Sequence, residues 1–182
     1  MTREDREPSL LALIREDWER HFRDWTKPGF RAMAMYRFGV WHLGIRQPLL
    51  RKVVGRAYKA LHRYIRNHYG IELRCSAKVG RRLLIAHQGA IVIHGYAEIG
   101  DDCVIHQGVT IGSANDFTVA KAPRLADNVQ VGAGAMVLGK VVVGAGARIG
   151  PNAVVMTNVP AGATVVAGPT RTILAPAESL GL

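Results

Sequence analysis

From Ile71 onward the chain repeats itself every six residues, and this period restricts the fold more than any other feature. Aliphatic side chains followed by a small residue occur at Ile93, Ile99, Ile105 and Ile111. They resume at Leu125, Val131, Val137, Val143, Ile149 and Val155. Val79 and Ile85 keep the same spacing earlier, with two extra residues before Ile93. Two places before most of these stands a small or β-branched residue: Ala77, Ala97, Cys103, Val109, Val129, Ala135, Val141, Ala147 and Ala153. A sandwich would alternate with period two. A hexapeptide period instead predicts a β-solenoid, in which three short strands make a triangular coil of roughly 18 residues and the aliphatics stack inside. About five coils are expected. Residues 112–124 break the repeat and should loop out, and loops on a rigid scaffold often carry function.

The period places several reactive side chains. Cys103 falls on a small inward position and reads as core. His87, His94 and His106 fall at or beside corners, where they are either surface histidines or part of a site. Three histidines on successive coils offer one alternative, a zinc site shared between subunits. The two cysteines, Cys75 and Cys103, fit no metal or disulfide framework, which suits a reducing, cytoplasmic setting. Residues 1–8 are polar and resemble no signal peptide.

Residues 9 to about 68 follow a helical period instead. Leu10, Leu11, Ile14, Trp18 and Phe22 should share one helix face, with Ser9 as N-cap. Leu50, Val53, Val54, Tyr58, Leu61 and Ile65 should form the apolar stripe of a later helix that Gly70 ends. Three regions follow: a helical domain over 1–70, a solenoid over 71–168 with the loop 112–124, and a tail over 169–182. The net charge of +10 is concentrated in the helices. No acid lies between Asp24 and Glu72, whereas Lys27, Arg31, Arg37, Arg46, Arg51, Lys52, Arg56, Lys59, Arg63 and Arg66 do. A solvated face is the plain reading, and peripheral contact of 27–66 with an anionic membrane the sharper one. No recognition motif accompanies the charge, so nucleic acid is not an expected partner.

The motifs "PGFRAMAMYRFGVW", "IELRCSAKVG", "IAHQGAIVI", "AEIGDDCVIHQGVTIG", "VGAGAMVLGKVVVGAGARIGPNAVV" and "VPAGATVVAGPTR" occur in this order. Together they resemble the hexapeptide-repeat acyltransferases, and within them the serine O-acetyltransferase branch and its relatives in polysaccharide gene clusters. The resemblance implies a mainly β fold, a left-handed parallel β-helix behind an N-terminal α-helical domain. It also implies acetyl-CoA as co-substrate, no metal, and a homotrimer, with pairing of trimers through the helical domains as a further option. His87 matches the family's general base, and a neutral imidazole suits deprotonation of a hydroxyl near pH 7. Glu72 matches a carboxylate that contacts the acceptor, and Lys121 stands where the family has an arginine of the loop. Gln107, one coil after His87, is a candidate to orient it, and Asp101, Asp102, Asp116 or a backbone carbonyl are further candidates. Ala133, Gly134 and Gly150 provide small side chains for the pantetheine arm. Arg148, Arg171 and Lys140 are candidates for the phosphates of the cofactor.

The sequence departs from the branch at Ala86, where an Asp usually precedes the base, at Ala122, where a second His is usual, and in the loop "ANDFTVA". These departures tilt the expected acceptor towards a saccharide or glycan precursor, with serine as the alternative. A γ-carbonic-anhydrase-like zinc enzyme and a non-catalytic solenoid scaffold are the other readings.

Overall fold

The computed structural model describes residues 8–113 and 122–169. Three helices lead into a parallel β-solenoid: α1 (Leu10–Arg20), α2 (Pro28–Leu43) and α3 (Pro48–Tyr69). Its first side holds β1 (Ile71–Leu73), β4 (Ile91–Ile93), β7 (Thr110–Gly112), β10 (Met136–Leu138) and β13 (Val154–Val155). The second holds β2 (Lys78–Val79), β5 (Glu98–Ile99), β8 (Arg124–Leu125) and β11 (Val142–Val143). The third holds β3 (Leu84–Ile85), β6 (Val104–Ile105), β9 (Gln130–Val131), β12 (Arg148–Ile149) and β14 (Thr164–Val165). Four coils are complete. The fifth is partial, its second side reduced to the Val143–Val159 bridge.

The six-residue period became this shape because each aliphatic meets its equivalent one coil away. Ile93 lies in register with Ile111, Ile99 with Leu125, and Ile105 with Val131. All of these are buried. The Cys103 thiol is buried among them, and desolvation pushes it up to about 11, which suits packing and not nucleophilic work.

The helices begin and end where the sequence signals. The Ser9 hydroxyl accepts from the Ala12 N–H at 3.3 Å. Pro28 and Pro48 occupy first helical positions, and Gly70 closes α3 in the left-handed region at φ 64°. Their faces differ from the expected stripes. In α1 the buried residue is Asp17, while Leu11 and Phe22 are exposed. In α3 Tyr58, Ile65 and Tyr69 are buried, and Leu50, Val53 and Leu61 are exposed.

Polar contacts explain the first shift. Asp17 and Arg37 form a buried fork, 2.8 and 3.3 Å, and Arg37 also donates to the Val79 and Gly80 carbonyls at 3.1 and 2.6 Å. The Tyr36 hydroxyl donates to the Ala77 carbonyl and accepts from the Val79 N–H, at 2.9 and 3.0 Å. These groups satisfy the exposed backbone of the first coil, which no preceding coil covers.

Candidate functional site

The edge where the third side turns into the first is built by residues 86–90, 106–109, 132–135 and 150–153 of successive coils. His87, Gln107, Ala133, Gly134 and Gly150 all lie on it. Backbone bonds run along this edge from Gly108 N to Gly89 O (2.8 Å), Gly134 N to Gln107 O (2.9 Å) and Asn152 N to Ala133 O (2.9 Å). Arg148 projects from the adjoining outer face on β12. Lys140 lies elsewhere, in a cleft on the second side. Lys121 and Arg171 fall outside the described residues.

The first corner of this edge is enlarged. Ile85 pairs with Ile105 and Val92 with Thr110, so residues 86–91 stand opposite only 106–109. The two additional residues push out the turn that carries His87, which is exposed. The turn passes through Gly89 at φ 105° and Ala90 at φ 52°. The end of α3 supports it, since the Tyr69 carbonyl accepts from Gly89 N at 3.0 Å and the Gly70 carbonyl from Ile91 N at 2.9 Å. The strand before it is held from the other side. His21 donates from Nδ1 to the Asp17 carbonyl at 2.6 Å and accepts from Ile85 N at Nε2, 3.3 Å. Burial lowers the pKa of His21, which keeps this neutral tautomer in place.

His106 stands one coil below, and its ring centroid is 6.3 Å from that of His87. Its Nδ1 lies 3.0 Å from the Val131 carbonyl. A carbonyl only accepts, so Nδ1 carries the proton of the neutral ring and Nε2 remains as an acceptor. Sequence reasoning treated His106 as a corner histidine and missed this pairing. The signal was available: Ile85 and Ile105 are register partners, so the residues after them become neighbours.

The other candidates separate. His94 faces Tyr96, with centroids 5.7 Å apart, and accepts from the Tyr96 N–H at 3.3 Å. The three corner histidines therefore do not converge within the chain, and no group of three or more His, Cys, Asp or Glu suited to a metal occurs among the described residues. Glu72 lies on the outer face of β1 in register with Val92, beside the strand into which the His87 turn leads, and pairs with Arg74 at 3.2 Å.

A second concavity, about 470 Å³, lies at the root of the loop that interrupts the repeat. Lys78, Tyr96, Glu98, Arg124 and Lys140 are among its lining residues. Glu98 bridges Lys78 at 2.9 Å and Arg124 at 3.1 Å. Those cations hold the carboxyl of Glu98 below its ordinary range. This cleft and the His87 edge border opposite margins of the first side.

Residues 122–156 match the family model described as bacterial transferase hexapeptide (six repeats). The chain is 41% identical over 146 residues to a Helicobacter pylori serine acetyltransferase, covering 80% of this chain and 81% of that one. It is 37% identical over 146 residues to the Synechococcus elongatus serine acetyltransferase, again over 80% of this chain but only 57% of that longer relative. Among solved structures, the soybean serine acetyltransferase apoenzyme superposes with a TM-score of 0.74 at 28% identity, over 92% of this chain and 70% of that one. A Brucella abortus serine acetyltransferase in complex with coenzyme A superposes with a TM-score of 0.73 at 24% identity, over 87% and 65%, a likeness of fold. With its repeat, its helical lead and a relative matched over four fifths of both lengths, the chain belongs to the serine acetyltransferase family of hexapeptide transferases.

Proposed function

We propose that the protein transfers the acetyl group of acetyl-CoA to the hydroxyl of serine, with His87 as general base. The observation that carries this reading is the single edge holding His87, Gln107, Ala133, Gly134 and Gly150, in a chain 41% identical to a serine acetyltransferase. The tilt towards a saccharide acceptor rested on Ala86, Ala122 and the altered loop. It finds no support among the relatives, which are named for serine, and serine replaces it here.

In the proposed reaction the His87 imidazole takes the hydroxyl proton as the oxygen attacks the thioester carbonyl. The C–S bond then breaks, and the imidazolium returns the proton to the departing thiolate, leaving the acetyl ester and free CoA thiol. No covalent enzyme intermediate is needed. Gln107 shares the His87 edge, and His106 provides a second imidazole that fixes where the hydroxyl and His87 meet. Glu72 offers a carboxylate for the ammonium group, and Lys121 a cation for the carboxylate. Ala133, Gly134 and Gly150 leave a shallow track for the pantetheine arm, with Arg148 and Arg171 to meet phosphate. Lys140 serves this track only across a subunit boundary, since its own edge is the other one.

The test is release of free thiol from acetyl-CoA with serine, homoserine, sugars or sugar nucleotides as acceptor. Turnover with serine at millimolar concentration is the expected result. Silence with serine beside turnover on a sugar would return the acceptor to the saccharide class. Silence with every acceptor and no CoA-induced thermal stabilisation would favour a scaffold.

A further inference from the structure

Helix α3 carries six cations, Arg51, Lys52, Arg56, Lys59, Arg63 and Arg66, and no acid. On the solenoid several basic side chains are matched: Lys78 and Arg124 with Glu98, Arg81 with Glu16, Arg82 with Asp102. No ion pair among the described residues includes a cation of α3. At its N-terminal end, Arg51, Lys52, Arg56 and Lys59 join Arg46 of the preceding turn around an open cavity of about 600 Å³.

Beside the cations runs a row of exposed apolar side chains. Leu49 is 71% exposed, Val53 54% and Tyr64 51%, the last with its ring edge-on to Tyr69. The inward face is a different one, made by Tyr58, Ile65 and Tyr69. Helical spacing puts Leu49, Val53, Ala60 and Tyr64 along one outward strip and Lys52, Arg56, Lys59, Arg63 and Arg66 along its flank. A second copy is a poor occupant for this face. An isologous contact would bring two unneutralised basic rows together, with no acid between Asp24 and Glu72 to separate them. A soluble polyanion would satisfy the cations but leave the apolar strip in water. An anionic bilayer satisfies both, apolar side chains reaching the acyl boundary and cations meeting headgroups.

We infer that α3 docks the protein on the surface of an anionic membrane, lying in the plane of the interface. No helix among the described residues is long and apolar enough to cross a membrane, so the attachment is peripheral and reversible. Each cation near the surface contributes on the order of fivefold to partitioning, and the effect decays with salt. The inference does not depend on the acceptor or on the acetyl-transfer reading.

The full chain should co-sediment with phosphatidylcholine vesicles containing phosphatidylglycerol and not with phosphatidylcholine alone, and added salt should release it. Lys52→Glu with Arg56→Glu should lower the partition coefficient at least tenfold. Leu49→Ser with Val53→Ser should also weaken it, with circular dichroism and thiol release unchanged in both variants. Absence of binding to the anionic vesicles would overturn the inference, as would equal binding to neutral ones. Binding to polyphosphate in solution that matches the vesicles and ignores the leucine and valine changes would assign the face to a polyanion instead. Loss of the native oligomer in the Leu49, Val53 variant would assign it to a second copy.

Discussion

At the scale of single residues, the candidate site pairs an exposed ring, His87, with an anchored one, His106. His87 sits in a turn two residues longer than its counterpart, so its ring stands clear of the coil. Its ring neighbour among the described residues is His106. A centroid separation of 6.3 Å with the planes tilted by 43° sets the two rings side by side without stacking them. His87→Ala should lower kcat by roughly 10²–10⁴-fold, the usual range for a general base, with the oligomer intact by mass photometry. His106→Phe keeps a ring of similar shape and removes both polar edges. If His106 orients the reacting hydroxyl, kcat should fall about 10- to 100-fold, the worth of one hydrogen bond to a charging group, while the KM for acetyl-CoA holds. An unchanged kcat would leave His106 as packing alone.

Among the elements, the helices support the corner that carries His87. Gly29 of α2 lies against the Ile85 carbonyl oxygen so closely that an added Cβ would overlap it. Gly29→Ala must therefore push apart α2 and β3, at a cost of about 1–3 kcal/mol, and displace the turn that begins at Ala86. A lowered thermal midpoint and a reduced kcat together would report it. The buried Asp17–Arg37 fork ties α1 and α2 to the first coil, and Asp17→Ala should cost about 3–5 kcal/mol by leaving the guanidinium unpaired. His21 adds a pH dependence. The unfolded chain titrates it near 6.5, the folded chain lower, because burial disfavours the imidazolium. Between those values the unfolded state binds more protons. Stability is thus complete above about 6.5 and falls as pH drops through the folded value. His21→Gln should flatten that limb in a series of chemical denaturation curves.

These contacts also mark where the sequence was legible. The solenoid was readable because one side-chain type repeats at a fixed step, and so were the caps Ser9 and Gly70, whose chemistry is local. The inward faces of α1 and α3 were not, since hydrophobic periodicity cannot register an inward face that α1 builds from Asp17 and its cap His21. In α3 it merged an outward apolar row with the buried one. The edge uniting His87, Gln107, Ala133, Gly134 and Gly150 follows from counting coils. The approach of His106 to His87 needed the register across the enlarged turn.

For the whole molecule, the three outer faces of the solenoid differ in a way that bears on assembly. The second side carries Lys78, Glu98 and Arg124 in a ladder of ion pairs, as a solvated face would. The first side carries Val92, Met136 and Val154, each 41–57% exposed on a flat parallel sheet. Water is a poor neighbour for such a row, and a second copy is a natural one. A closed three-fold arrangement with the first side turned towards the axis would bring the His87 edge of each copy beside the loop edge of the next. Met136→Asp with Val154→Asp should then yield monomers by mass photometry and abolish thiol release, although neither residue lies on the His87 edge. The sharper measurement is complementation. His87→Ala and Lys121→Ala assemblies should each be nearly inactive alone. When the two chains are unfolded together and refolded as a mixture, roughly a quarter of the sites in a closed ring would pair an intact His87 edge with an intact loop from the neighbour. Recovery of activity to about that fraction would establish a site shared between subunits. No recovery, with both variants assembled normally, would mean that each copy folds its own loop back over the first side to reach His87.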